Sequence, residues 1–370
     1  MQKNIWMVIL LLFLCGCGGE ESLDNDTIVS LQTPDTETEA KEIPPVTVTE
    51  YSLPEEIAAL EKLELGKIDL YADEEQSMYN SNQMNFGYLA SDEKGNIYFS
   101  DFTQNAIFKC GPEGEEKKLL YEGTGTCMYA AGGYLYFGRV EPEKKYIENI
   151  VKIDIDTEEA EFPYKNLCGE IMFLKDRLYF NIGGLGCLES DEIDGNPVML
   201  SEIEPVSFNT DDRYLFYNMI TEDTKILFER GYLLAWDTET EKNYFVGSKM
   251  IFPLLAGDWL TYVDLQTNTR HVLDMRTGTD TDLEYTIQHI VSDGHRLYWA
   301  QQDIGSFRVF QWDGKEIQEL FTVESGAEKC GDVCLYLTKD YLYWMWEMEL
   351  MEEADWGYYR LSDGKEGRLN

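Results

Sequence analysis

The chain holds three histidines, His271, His289 and His295. None belongs to an H-E-x-x-H pattern or pairs with another at helical spacing, so no zinc-protease site is indicated. His295 falls in the turn SDGHRLYW and reads as a solvent-exposed turn residue. No G-x-S-x-G elbow and no P-loop occurs. Gly183-Gly184-Leu185-Gly186 is only superficially like a phosphate loop; no helical pattern follows it, and it reads as a loop after a strand. Asp and Glu total 70, so paired carboxylates occur everywhere and cannot single out a glycosidase centre. Most are read as solvated outer-face or loop residues. Calcium stays open as a cofactor because oxygen ligands abound, yet Asp154-x-Asp156 and Asp191-x-x-Asp194-Gly195-Asn196 both fall short of the EF-hand pattern. No catalytic or metal-ligating set is therefore assigned.

Two further groups of residues could carry binding or redox chemistry. Cys110, Cys127, Cys168, Cys187, Cys330 and Cys334 form an even set, which in an exported protein allows disulfides in fifteen connectivities. Cys330 and Cys334 would stand about 13 Å apart on one extended strand, awkward for a mutual bond. Buried free thiols and one or two disulfides are weighed equally. The segment MWEMELMEEADWGYY, residues 345–359, sets Trp346, Met351 and Trp356 among acids. It reads as a loop on a ligand-binding face, since exposed aromatics with Met favour partner contact. The competing reading is that these side chains extend strands and fold onto a sheet edge. The 181–192 segment, NIGGLGCLESDE, is expected as a loop on the same face.

The scaffold that must position these residues is bounded by composition. The 370 residues are 44% hydrophobic and 13% aromatic, which excludes disorder for most of the chain, and they suffice for one large or two ordinary domains. A net charge of −40 would repel phosphate backbones, so no nucleic-acid partner is expected. Residues 1–17 read MQKNIWMVILLLFLCGC, with Lys3 the one charge and an apolar run from Ile5 to Leu14. Ten apolar residues are too few to span a bilayer core of about 30 Å but suit a signal-peptide core. Leu14-Cys15-Gly16-Cys17 resembles the lipobox of bacterial lipoproteins. That resemblance implies cleavage of residues 1–16, lipid attachment at Cys17, and a place in the bacterial cell envelope outside the cytoplasm. Loss of Lys3 with the leader would take the net charge from −40 to −41. Residues 17–55 are rich in Glu, Asp, Thr and Pro without apolar period, and read as a flexible tether.

From about residue 60 to 370 a strand core of one aliphatic and two mostly aromatic residues recurs. It is Ile97-Tyr98-Phe99, Leu135-Tyr136-Phe137, Leu178-Tyr179-Phe180, Leu215-Phe216-Tyr217, Leu260-Thr261-Tyr262, Leu297-Tyr298-Trp299 and Leu342-Tyr343-Trp344. Gly or Asp two places upstream in five of the seven (Gly95, Gly133, Asp176, Asp258, Asp340) supplies turn chemistry, and no long stretch carries a helical period. Units of about 40 residues with several strands each fit β-propeller blades of four strands. The expected fold is an all-β propeller of seven blades, with six or eight as alternatives. The blades are placed near 87–123, 127–167, 171–204, 206–247, 251–286, 289–323 and 332–370. The last unit shows three clear strands, so Lys67-Ile68-Asp69-Leu70-Tyr71 is expected to supply its fourth and close the ring.

Tyr98-Phe99-Ser100-Asp101, Tyr298-Trp299 with Asp313-Gly314, and Tyr343-Trp344 resemble the YWTD propellers of lipoprotein receptors and, more loosely, NHL repeats. The whole is similar to bacterial lipoproteins carrying a lipoprotein-receptor-like propeller. Ala300 and Gln301 depart from that signature, and its motif residues hold blades together, so the resemblance implies a fold and no site. The function expected is a monomeric, membrane-tethered extracytoplasmic binding or scaffold module for a protein, peptide or glycan. The alternative is an extracellular hydrolase or lyase using carboxylates at the channel mouth.

Overall fold

The computed structural model describes residues 55–369 apart from 69, 71, 141–146, 166–170, 175–176, 182–184, 190–197, 202–204, 212, 220–230, 288, 325–330 and 349–352. Among the described residues the strands form seven sheets, each containing four consecutive strands in simple up-and-down order, one of them with a fifth strand added at its edge. They run from Leu89–Ser91 to Lys118–Glu122, Thr124–Ala131 to Ala160–Lys165, Ile171–Leu174 to Val198–Ser201 and Pro205–Thr210 to Lys242–Gly247. The remaining three run from Met250–Ala256 to Asp280–Asp282, Ile290–Ser292 to Ile317–Glu324 and Val333–Leu337 to Glu366–Arg368. All seven aliphatic–aromatic cores lie in the second strand of their sheet. The fold is an all-β propeller.

Strand periodicity explains why the sheets stack. Alternate residues of a strand point to opposite faces, and here both faces are apolar. In the second strand of sheet six, Leu297 and Trp299 enter the cluster shared with sheet five, whereas Tyr298 enters the one shared with sheet seven. Seven such clusters occupy the seven junctions between neighbouring sheets, including the one that joins sheet seven to sheet one through Tyr336, Tyr343 and Trp356 against Ile97, Phe99 and Cys110. The ring is therefore closed by packing. A side-chain latch reinforces the last junction: Glu113 accepts from Tyr341 and Tyr358 (3.1 and 3.3 Å) and pairs with Arg360 and Lys365.

Two expectations are corrected by this arrangement. Sheet seven carries its own fourth strand, Glu366–Arg368, which follows the turn capped by Asp363. Ile68 and Leu70 do not complete it. Instead Glu61–Lys62 runs parallel to Tyr244 and Phe245 as a fifth strand of sheet four, and Ile68 donates its N–H to Met275 of sheet five. Leu63, Ile68 and Leu70 bury their side chains over the junction of sheets four and five, so the N-terminal segment acts as a strap there.

The second correction concerns helix content. The helix Glu74–Met84 stands among the first strands of the sheets. Its N-terminus is capped by Asp73, whose Oδ1 takes the Gln76 N–H at 2.9 Å. It buries Ser77, Asn80, Ser81 and Asn82, which no amphipathic pattern would select. The physical reason lies in the inner strands, whose inward edges expose unpaired backbone groups. Asn82 both donates to Leu337 O (2.8 Å) and accepts from Leu337 N (2.7 Å), imitating a neighbouring strand. Asn80 donates to Thr210 O at 2.7 Å, Asn85 to Leu335 O at 2.8 Å and Gln83 to Met128 O at 2.9 Å. Ser77 Oγ accepts from Gly257 N (2.9 Å) and Ser81 Oγ from Ser292 N (3.1 Å). The polar helix thus satisfies the inner edges of five sheets and fills the central channel.

Candidate functional site

Connections between first and second strands lie at one end of the channel, and those between second and third strands at the other, the upper face. Ser77, at the start of the channel helix, meets the first-to-second-strand turn at Gly257. Asn85, at its other end, meets Ile290 and Leu335 on strands that enter from the upper face. Aromatic side chains gather around that end. Phe86 stacks on Tyr88 with centroids 5.5 Å apart, Tyr88 meets Phe102 edge-on at 4.8 Å, and His289 lies 6.0 Å from Phe86 on the other side. Phe86 has φ +67°, and its carbonyl accepts the Cys127 N–H at 2.8 Å, which fixes the turn after the helix.

His289 leads from this rim to the junction of sheets five and six. Its Nδ1 is 3.2 Å from Asn85 Oδ1. Because the Asn85 amide nitrogen already donates to Leu335 O, its oxygen is the acceptor and Nδ1 carries the proton. Burial, with the nearby Arg270 cation as the lesser cause, pushes the His289 pKa down to about 4. The imidazole is neutral at physiological pH.

Arg270 is the unusual residue of the junction. It sits on the strand Thr269–Asp274, one strand position from Val272 on the same face, and is 0% exposed. Its Nε and Nη2 both donate to Thr261 Oγ1, at 3.0 and 2.7 Å, while Nη1 has no partner among the described residues. Its backbone N–H goes to Tyr285 O at 2.9 Å, and the Tyr285 ring packs 5.6 Å from that of Trp299. Trp299, in the same cluster as Val272, is also buried with an unpartnered Nε1. Desolvation is the sole cause that lowers the Arg270 pKa to about 9, so the guanidinium stays charged at neutral pH with no carboxylate acting on it. Isolating a cation in the interior costs on the order of several kcal/mol. Among the described residues, no acid pairs with this cation.

The residues singled out by sequence fall elsewhere. Trp346 and Trp356 do not form an exposed ligand face: they lie on the strands Tyr341–Met348 and Glu353–Arg360 and are buried, Trp346 against Phe307 and Trp356 against Phe99. The second and third strands of sheet seven run further than the acid-rich spacing suggested, and the indole of Trp356 donates to Ser100 O at 3.2 Å. Met351 and Cys17 lie outside the described residues. The 181–192 segment contains the strand Leu185–Glu189 rather than one continuous loop. Cys110, Cys127 and Cys334 are buried thiols outside any disulfide; Cys168 and Cys330 lie outside the described residues. His295 is exposed in its turn and 3.3 Å from Glu74. No group of three or more His, Cys, Asp or Glu among the described residues is arranged to hold a metal. Much of the acidity has a local purpose: Asp92, Asp154, Asp274, Asp293 and Asp313 each accept two backbone N–H groups in their turns.

Arg270 escaped the sequence reading because a lone Arg in a strand resembles a solvent-facing residue. The available signal was its two-residue offset from Val272 in a sheet apolar on both sides.

No protein-family model matches the chain, and no curated protein sequence matches it. Among solved structures it is similar to acylaminoacyl peptidase with TM-score 0.50 and 14% identity, over 79% of this chain and 53% of that one. It is similar to an oligogalacturonate lyase from Vibrio parahaemolyticus with TM-score 0.49 and 11% identity, over 80% and 90%. TolB from Acinetobacter baumannii follows at 0.43 and 13%, over 61% and 62%. At these identities the likeness shows the propeller fold alone.

Proposed function

We propose that the protein is a recognition module, tethered by lipid at Cys17 to the bacterial cell envelope and extended from the membrane by residues 17–55. It acts as a monomer that binds an extracytoplasmic protein, peptide or glycan on its upper face. The observation that carries this reading is the charged, fully buried Arg270 with a free Nη1. A fold shaped for stability alone gains nothing by keeping an uncompensated cation there, since an apolar residue of similar volume is often neutral or stabilising. The channel helix supports the same reading by closing the axis and leaving recognition to the rim and the junctions.

The test has two arms. Palmitate labelling of expressed protein should tag the wild type and vanish in Cys17→Ser; equal labelling of both removes the anchor from the account. Peptide and glycan arrays probed with the purified chain should show a ligand whose capture falls with Arg270→Met. Unchanged capture would mean that the upper-face junction is not where recognition occurs. A hydrolase or lyase working through carboxylates is the second reading, and one observation favours it: burial raises the pKa of Asp332 at the start of sheet seven. Turnover of the same libraries, lost in Asp332→Asn, would establish that reading in place of the first.

A further inference from the structure

Resting on the reading of this junction as a binding site, we propose that the junction of sheets five and six takes a monovalent carboxylate, received by Nη1 of Arg270 and the indole N–H of Trp299. The complementarity is one of donors without acceptors. Arg270 spends two of its nitrogens on Thr261 and keeps the third free, and Trp299 keeps its only donor free, both fully buried. Both side chains face the same junction, since Val272, two residues along the strand from Arg270, packs in the cluster of Trp299. Tyr285 joins them, holding the Arg270 backbone through its carbonyl and touching Trp299 through its ring.

Charge selects the class of anion. Arg270 is the cation of this junction, and His289 beside it is kept neutral by the Asn85 hydrogen bond and by burial. One positive charge balances one negative charge, which suits a carboxylate and leaves a phosphate dianion half-compensated. Trp299 and Phe310, stacked 5.8 Å apart, and Tyr285 supply aromatic walls for the apolar body that a carboxylate bears. Tyr285 and His289, at the upper end of this junction, both keep partial exposure.

Sodium benzoate, sodium acetate and sodium phosphate, each matched in ionic strength with sodium chloride, probe the site on the purified chain by thermal shift and tryptophan fluorescence. Benzoate and acetate should raise the melting temperature in proportion to the logarithm of concentration, beyond the chloride control, with phosphate weaker by about tenfold or more. Arg270→Met should fold with undiminished stability, because an unpaired buried charge has gone, and should lose about tenfold or more in carboxylate affinity. Trp299→Phe should weaken binding severalfold and abolish the fluorescence change. No carboxylate response in the wild type, or an equal response in Arg270→Met or with chloride, overturns the inference. Array capture that persists under those results leaves the binding reading standing and removes only the carboxylate.

Discussion

Replacing Asn82 by Ala tests whether the channel helix holds the ring together. The substitution removes the amide that donates to Leu337 O at 2.8 Å and accepts from Leu337 N at 2.7 Å, leaving two inward-facing backbone groups of sheet seven without partners. Each buried unsatisfied group costs about 1–3 kcal/mol. Ala recovers about 0.5 kcal/mol through better helix propensity, and water reaching the vacated space would trim the cost further. The expected net loss is about 2–4 kcal/mol. Equilibrium urea unfolding followed by tryptophan fluorescence measures it, with Glu75→Ala on the exposed first turn as the control, expected within about 0.5 kcal/mol of wild type. Asn82→Asp should fare worse than Ala, because a carboxylate cannot donate to Leu337 O and buries a charge near that carbonyl. If Asn82→Ala cost no more than Glu75→Ala, the helix would be a passenger in the channel, and the argument from unpaired strand edges would fail.

Further outcomes follow from the same geometry. Gly257 has φ +56° and a Cβ there would stand 2.3 Å from Gly294 O, so Gly257→Ala should cost about 2 kcal/mol or more in the same urea experiment. Glu113→Gln weakens the partly buried latch between sheets seven and one and should cost about 1 kcal/mol, a loss that high salt in part reproduces in the wild type. His289 takes its proton near 6.5 when unfolded and near about 4 when folded, so the unfolded state binds more protons between those values. Stability should fall as pH drops from about 6.5 towards 4, and the wild-type curve should be steeper there than that of His289→Gln. Burial raises the Cys110 thiol to about 12, so it should resist thiol reagents in the native protein and react on unfolding.

The parts legible from sequence are those written in apolar periodicity. Leu297-Tyr298-Trp299 and its six counterparts announce second strands because alternate residues feed two different junctions, and the expected unit limits fall within a few residues of the observed sheets. The channel helix was invisible to the same logic, since EEQSMYNSNQM is mostly polar and its Met78, Tyr79 and Met84 pack into different clusters rather than along one apolar face. Asp73 caps its start in the structure by accepting the Gln76 N–H. For Trp346 and Trp356 the second of the two sequence readings is the one observed: the strands of sheet seven continue through them and bury their side chains. The Arg270 site depends on what is missing around a side chain, which no residue spacing records.

A crystal structure of the protein grown with sodium benzoate tests the central claim most directly. The account predicts a carboxylate within hydrogen-bond distance of Arg270 Nη1 and Trp299 Nε1, with the helix Glu74–Met84 in the channel. An Asp or Glu side chain paired with Arg270, or an open channel with the helix elsewhere, would contradict it.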